Sequence, residues 1–133
     1  MSGAGEPVRF ALRREGERLE GIAPGIDRRH LDRLKRGETP PESELDLHGL
    51  DRRDARFALR AALREAHAEG QRCVRIVHGR GLHSDLGPVL KESLVGWLAE
   101  PPLGALILAF ASAPARDGGP GATYVLLRRK RER

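Results

Sequence analysis

Two short apolar segments of this chain each end in a His-Gly pair, and these histidines are the residues best placed to do chemistry. His48 ends the segment 45–48, and His78 ends a second segment thirty residues later. Asp46 lies two residues before His48, so on a strand their side chains share one face. An imidazole beside a carboxylate can move protons near neutral pH. We therefore predict Asp46, His48 and His78 as catalytic residues.

The hydrophobic pattern indicates the elements that must position these side chains. We predict strands over 44–48, 73–78, 105–111 and 122–128, and helices over 51–69 and 86–99. This βαβαββ order predicts an α/β fold, a two-layer sandwich with a mostly parallel four-stranded sheet and two helices on one face. Ligands of open α/β sheets bind at the carboxyl ends of parallel strands, so both histidines are expected at one edge.

Glycine-rich segments follow the second and third predicted strands. Gly79, Arg80 and Gly81 form a predicted tight turn, and glycines recur through the loop 118–121. Backbone amides in such turns can approach a phosphate, and an arginine adds a fixed positive charge. Each motif alone is also typical of an ordinary turn. Their joint placement at one edge favours binding of a phosphodiester backbone.

Charge and composition bound the organisation of the chain. The 133 residues carry a net charge of +5, and five of the last six residues are basic. Such a terminus suits either a polyanion or plain solvation, and both remain open. We predict an extension over 1–41 with a short helix at 27–36, a compact domain over 42–129, and a basic tail over 130–133.

A cytoplasmic protein without a membrane segment is expected. The longest apolar run, around 103–113, is shorter than the ~20 residues that cross a bilayer, and the charged start does not resemble a signal peptide. The single cysteine excludes an intramolecular disulfide and a cysteine-based zinc site. No feature predicts the oligomeric state.

Three segments together resemble the signature segments of the Smr (small MutS-related) domain. They are Leu45–Gly49, His78–Gly81 and Gly118–Val125, and they occur in the family's order and spacing over about residues 42–129. The segment 23–29 is similar to the extension of short stand-alone bacterial members. The resemblance implies a two-layer α/β sandwich that binds nucleic acid, and several members of the family act as endonucleases on DNA or RNA.

The predicted function is an endonuclease that nicks or cuts DNA, or structured RNA, by phosphodiester hydrolysis. His48 would act as general base on water, Asp46 would orient it or hold a metal ion, and His78 would protonate the leaving oxygen or stabilise charge. The expected nucleic-acid contacts are Gly49, Gly79, Arg80, Gly81, Gly118, Gly119, Gly121, Thr123 and Arg128. Catalysis with Mg²⁺ or Mn²⁺ and a metal-free acid–base pair both remain open.

Two other classes of function remain open. A non-catalytic module could recognise nucleic acid or a ribosome with the same basic edge and glycine loops. An enzyme acting on a small phosphate compound is a third candidate, although the chain has no long P-loop. The residues do not choose between DNA and RNA, and the scarcity of aromatic side chains slightly favours a duplex or structured partner.

Overall fold

The computed structural model describes residues 5–79 and 87–130, which form a six-stranded sheet covered by three α-helices. The strands are β1 (Ala11–Glu15), β2 (Arg18–Ile22), β3 (Ser43–Asp46), β4 (Cys73–Val77), β5 (Ile107–Ser112) and β6 (Ala122–Leu127). The helices are α1 (Arg28–Lys35), α2 (Arg52–Ala68) and α3 (Gly87–Ala99). The predicted helices and the four predicted strands are all present within about two residues. The predicted start of the last helix at residue 86 lies outside the described residues.

The predicted mostly parallel four-stranded sheet is wrong. The strand order is β1-β2-β5-β6-β4-β3, and among the described strands only β3 and β4 pair in parallel. β6 lies between β4 and β5 and is antiparallel to both. The reason is that a hydrophobic pattern identifies strands but not their neighbours. The crossover through α3 leaves a gap one strand wide between β4 and β5, and β6 fills it.

Two strands of the sheet, β1 and β2, come from residues 1–41. They pair antiparallel through the two-residue turn Gly16-Glu17, in which Gly16 has a φ of 60°. A positive φ at this position suits a tight hairpin, and glycine adopts it without steric cost. All five residues of β1 are exposed. A charged edge strand of this kind shows no apolar alternation, which is why its residues did not predict a strand.

The helices lie on both faces of the sheet, so the predicted two-layer sandwich is also wrong. α2 and α3 do share one face, where Leu59 and Leu94 pack in a common core with Val125 of β6. α1 covers the opposite face, where its fully buried Leu31 and Leu34 join a second core. The apolar spacing of α1 correctly predicts its helix and its N-cap, Asp27, but not the layer to which it belongs.

The strand directions bring four strand ends to one edge of the sheet. β3, β4 and β5 all point the same way, and β6 starts where they end. Asp46 is paired with Val77, Val77 with Ala122, and Ser112 with Thr123. We call this the motif edge, meaning the end of the sheet formed by Asp46, Val77, Ser112 and Ala122.

A buried carboxylate ties α1 to the sheet. Glu20 of β2 accepts hydrogen bonds from Arg28 at 2.8 Å and Lys35 at 2.7 Å, at the two ends of α1. Burial raises the pKa of Glu20, but the hydrogen bonds and charges of Lys35 and Arg28 outweigh it and hold the pKa below its usual range. The ionised form therefore stabilises the fold at neutral pH. This contribution is lost as the pH falls below about 4.3, toward the lowered pKa.

Replacing Glu20 by glutamine should lower the free energy of unfolding at neutral pH by about 1–2 kcal/mol. The substitution weakens two charge-assisted hydrogen bonds. The loss is limited because Arg28 and Lys35 are partly exposed, so water can solvate their charges. Urea denaturation of the two proteins measures the difference, which should shrink as the pH falls below about 4.3. Glu38→Gln is the control, because its pair with Arg36 is exposed and the change should have little effect. Equal stability of Glu20→Gln and wild type at neutral pH would contradict the role of this tie.

Candidate nucleic-acid interface

We call the three signature segments, 45–49, 78–81 and 118–125, the first, second and third motifs. The first motif is a turn anchored on a buried leucine. Leu47 is fully buried, and its N–H donates to the carbonyl of Val77 at 2.7 Å. The carboxylate of Asp46 accepts a hydrogen bond from the main-chain N–H of His48 at 2.8 Å. Gly49 continues the turn with a φ of 84°. The side chains of Asp46 and His48 are both exposed beside the motif edge, and either can reach a ligand from solvent.

The second motif places a histidine inside the protein. His78 is only 1% exposed, and both ring nitrogens have partners. Nδ1 lies 3.1 Å from the carbonyl oxygen of Gly79, and Nε2 lies 2.9 Å from the hydroxyl oxygen of Thr123. A carbonyl can only accept, which assigns the proton to Nδ1 and makes Nε2 the acceptor for Thr123. Burial lowers the pKa of His78, the Gly79 bond opposes this, and the charge of Lys91 lowers it further. This direction favours the neutral ring at pH 7.

The third motif is joined to the second by one carbonyl group. The oxygen of Gly121 accepts from the N–H of His78 at 3.1 Å and from the N–H of Gly79 at 2.9 Å. Gly121 in turn donates to the carbonyl of Gly118 at 3.0 Å. The φ of Gly118 is 111°, a conformation that disfavours any side chain. The N–H groups of Gly79 and Gly121 are thus already used inside the protein. These two groups are not free to bind a phosphate, and the two segments instead shape the surface at the motif edge.

Side chains of the sheet hold the rest of the glycine loop. Arg75 donates to the carbonyl of Asp117 at 3.0 Å, and the hydroxyl of Tyr124 donates to the Asp117 carboxylate. The N–H of Gly119 donates to the carbonyl of Pro114 at 3.1 Å. The loop 114–121 is therefore fixed on the sheet, and the backbone beside His78 is preorganised.

Most of the predicted site residues lie together at the motif edge. These are Asp46, His48, Gly49, His78, Gly79, Gly118, Gly119, Gly121 and Thr123. Arg128 lies elsewhere, because β6 runs away from the motif edge and ends one residue before it. Its N–H donates to the carbonyl of Leu106 at the opposite edge, about 20 Å away for a strand of this length. Arg80, Gly81 and the tail residues 131–133 lie outside the described residues.

Two basic residues at the motif edge were not predicted from the sequence. Arg14 of β1 and Lys91 of α3 line a cavity together with Gly79 and Pro120. Lys91 donates to the carbonyl of Glu17, and Arg14 pairs with Glu92 at 3.0 Å. The two-residue hairpin signal at Gly16-Glu17 could have revealed β1. It could not have shown that the hairpin turn lies beside the second motif.

Other chemistries find less support in the described residues. No group of three or more His, Cys, Asp or Glu side chains within 5–79 and 87–130 could hold a metal ion. Cys73 is buried, and burial raises the pKa of its thiol to about 12, which opposes a role as nucleophile. None of the helices in these same ranges is both long and apolar enough to cross a membrane.

Sequence relatives agree with the motif assignment. The ribosome rescue factor SmrB of Yersinia enterocolitica serotype O:8 is 37% identical over 106 residues, which cover 80% of this chain and 56% of the relative. SmrB of Escherichia coli O157:H7 is 36% identical over 106 residues, covering 80% and 54%. The chain thus spans about half the length of the curated relatives it matches.

Solved structures show the same architecture. YdaL, a stand-alone small MutS-related protein from Escherichia coli, superposes with a TM-score of 0.73 at 29% identity over 86% of each chain. The Smr domain of Thermus thermophilus MutS2 gives a TM-score of 0.56 at 34% identity, covering 65% of this chain and 98% of that one. The family model described as the Smr domain matches residues 45–128. The family predicted from the three motifs is confirmed, and the chain belongs to the Smr domain family.

Proposed function

We propose that this chain is a nucleic-acid-binding module that contacts RNA at the ribosome through its motif edge. The observation that carries the proposal is the joining of three family motifs by main-chain hydrogen bonds at one edge, beside the basic residues Arg14 and Lys91. The curated relatives are named ribosome rescue factors, which supports a ribosomal partner for the shared domain. A ribosome presents its RNA as a dense array of phosphates, which a basic edge attracts without regard to sequence.

Three cations lie around the edge, while Glu17 and Glu92 line the same cavity and Glu92 pairs with Arg14. Besides Arg14 and Lys91, Arg18 lies there and donates to the carbonyls of Ser112 and Ala113, at 3.0 and 2.7 Å. These bonds use one nitrogen of the guanidinium and hold the group beside the end of β5. Lys91 is partly buried, whereas Arg14 and Arg18 are exposed. Cations at such a surface make phosphate contacts that depend on salt concentration.

Lys91→Gln should weaken binding to a stem-loop RNA about threefold to tenfold near 0.1 M salt, because one phosphate contact is lost. The slope of log affinity against log salt should fall by about 0.7–0.9. Fluorescence anisotropy over a salt series measures both quantities. Arg33→Gln is the matched control, because this exposed arginine lies on α1, on the opposite face of the sheet. An unchanged salt slope for Lys91→Gln would place the RNA somewhere other than the motif edge.

Cleavage of the bound nucleic acid is the second candidate function. It is favoured by the exposed pair of Asp46 and His48, whose turn is fixed by the hydrogen bond that the His48 N–H donates to the Asp46 carboxylate. In this proposal His48 takes a proton from the attacking water, a new P–O bond forms, and the bond to the leaving oxygen breaks. Asp46 fixes the turn that aims the imidazole. The leaving oxygen takes its proton from solvent.

We assign His78 a positioning role in both candidate functions. Its Nε2 already accepts from Thr123, and the one proton of the neutral ring lies on Nδ1, where it is donated to the carbonyl of Gly79. The ring instead locks the end of β4 to the start of β6. Because folding depresses the pKa of His78, its contribution to stability is complete above about pH 6.5 and decreases as the pH falls below that value.

Thr123→Val should lower the free energy of unfolding by about 1–3 kcal/mol, because buried Nε2 of His78 loses its donor. Thr123→Ser keeps the hydroxyl and should cost much less. Urea denaturation measures both, and ¹⁵N spectra of the wild-type ring at pH 7 should show a protonated Nδ1 and an unprotonated Nε2. A protonated Nε2, or equal stability of the two variants, would overturn the positioning role.

His48→Ala should abolish any cleavage while leaving the RNA affinity within about threefold of wild type. The reason is that an exposed imidazole contributes little to binding of the uncleaved RNA. The assay incubates the protein with structured RNA and with supercoiled plasmid, in Mg²⁺, in Mn²⁺ and in chelator. His30→Ala on α1 is the matched control for an exposed histidine. Cleavage by wild type that persists in His48→Ala would exclude His48 as the base. If RNA is bound but no cleavage products appear under any condition, recognition remains and cleavage is excluded.

A further inference from the structure

The outward face of α2 carries an exposed aromatic ring among arginines. Phe57 is 76% exposed, in a helix whose other large apolar side chains face the core. At 100° per residue, Arg53, Arg56, Arg60 and Arg64 fall with Phe57 within an arc of about 100°. These five residues line one groove along the helix, and we call them the α2 arginine face. A single exposed Phe is ordinary, but this ring lies among four guanidinium groups in one groove.

Most of these positive charges are uncommitted. Within residues 5–79 and 87–130, Arg53, Arg60 and Arg64 have no hydrogen bond or ion pair, and Arg56 donates to Glu100 at 2.9 Å. The acidic residues in the same groove, Asp51 and Asp54, lie at its N-terminal end. The Asp51 carboxylate is already used as the N-cap, where it accepts from the N–H of Asp54. The face is therefore a basic surface with one planar apolar group near its middle.

The α2 arginine face is continuous with the motif edge. Asp51 caps α2 three residues after His48, so the first turn of the helix begins where the first motif ends. Arg53 is nearest to the edge, and Arg64 lies about 16 Å further along the helix axis. A polyanion bound at the edge that followed this direction would pass Arg53, Phe57, Arg60 and Arg64 in turn.

We propose that the α2 arginine face is a second RNA contact surface that holds a single-stranded segment leaving the motif edge. Phe57 stacks on one unpaired base, and Arg53, Arg60 and Arg64 contact the flanking phosphates. Stacking platforms between cationic side chains are the general means by which proteins hold single strands without regard to sequence. A duplex hides its base faces and can use only the arginines. The inference rests on the proposed function, because it extends the same bound RNA.

Phe57→Ala should weaken binding to a stem-loop RNA with a single-stranded 3′ extension about tenfold, the effect of losing one stacked base. Binding to the blunt duplex of the same stem should change less than twofold. Phe57→Trp should restore affinity for the extended RNA, because the larger ring also stacks. Leu12→Ala, which removes another exposed apolar side chain from β1, is the matched control and should leave both affinities unchanged. Thermal unfolding should show that all three variants fold, since Phe57 and Leu12 are both exposed.

Replacing Arg60 and Arg64 together by alanine should weaken binding to both RNAs and lower the salt slope by about 1.4, or 0.7 for each lost phosphate contact. Arg33→Ala on α1 should leave the slope unchanged. If Phe57→Ala and the double variant bind both RNAs as wild type does, while Lys91→Gln still weakens them, this inference is overturned and the motif-edge proposal stands. If wild type binds neither RNA, both proposals fail together.

Discussion

The structure depends on one bifurcated hydrogen bond at the end of β4. The carbonyl oxygen of Gly121 accepts from the N–H groups of both His78 and Gly79, and so fixes the glycine loop against the second motif. The buried side-chain hydrogen bond between His78 and Thr123 joins the same two segments. The adjacent bond from Leu47 to the carbonyl of Val77 adds the first motif. Three segments far apart in the chain thus become one rigid surface, and the solvent-facing groups around it are held in place by contacts made inside.

The element types could be predicted from the sequence, whereas the arrangement could not. Apolar spacing and capping residues such as Asp51 depend on local chemistry, so they identify α2 and the strands on either side of it. Strand order depends on which hairpin fills which gap, and this is decided by long-range packing. The antiparallel β6 nevertheless starts at the edge where β3, β4 and β5 end. The convergence of the motifs therefore survives an error in the topology from which it was predicted.

The candidate site shows the same division between local and long-range information. His48 and His78 have the same sequence context, since each ends an apolar run before a glycine. The fold nevertheless leaves His48 exposed and buries His78. Burial is a property of the surrounding elements, so the sequence alone could not separate a group that reaches a ligand from one that holds the backbone. Arg128 and Lys91 differ in how visible they are in the sequence, and this visibility does not match their distance from the site. A conspicuous basic terminus begins at the opposite edge, while an inconspicuous lysine on α3 lies beside Gly79.

We propose that nucleic acid binds at the motif edge, and mapping the contact on the wild-type protein is the sharpest test of this. Amide chemical shifts would be followed by ¹⁵N–¹H correlation spectra as a stem-loop RNA is added. If nucleic acid binds at the motif edge, the largest changes will fall on residues 46–49, 78–79 and 118–121, with little change on α1 or at residues 128–130. Changes concentrated on α1 or around Arg128, with the three motifs unaffected, would contradict it.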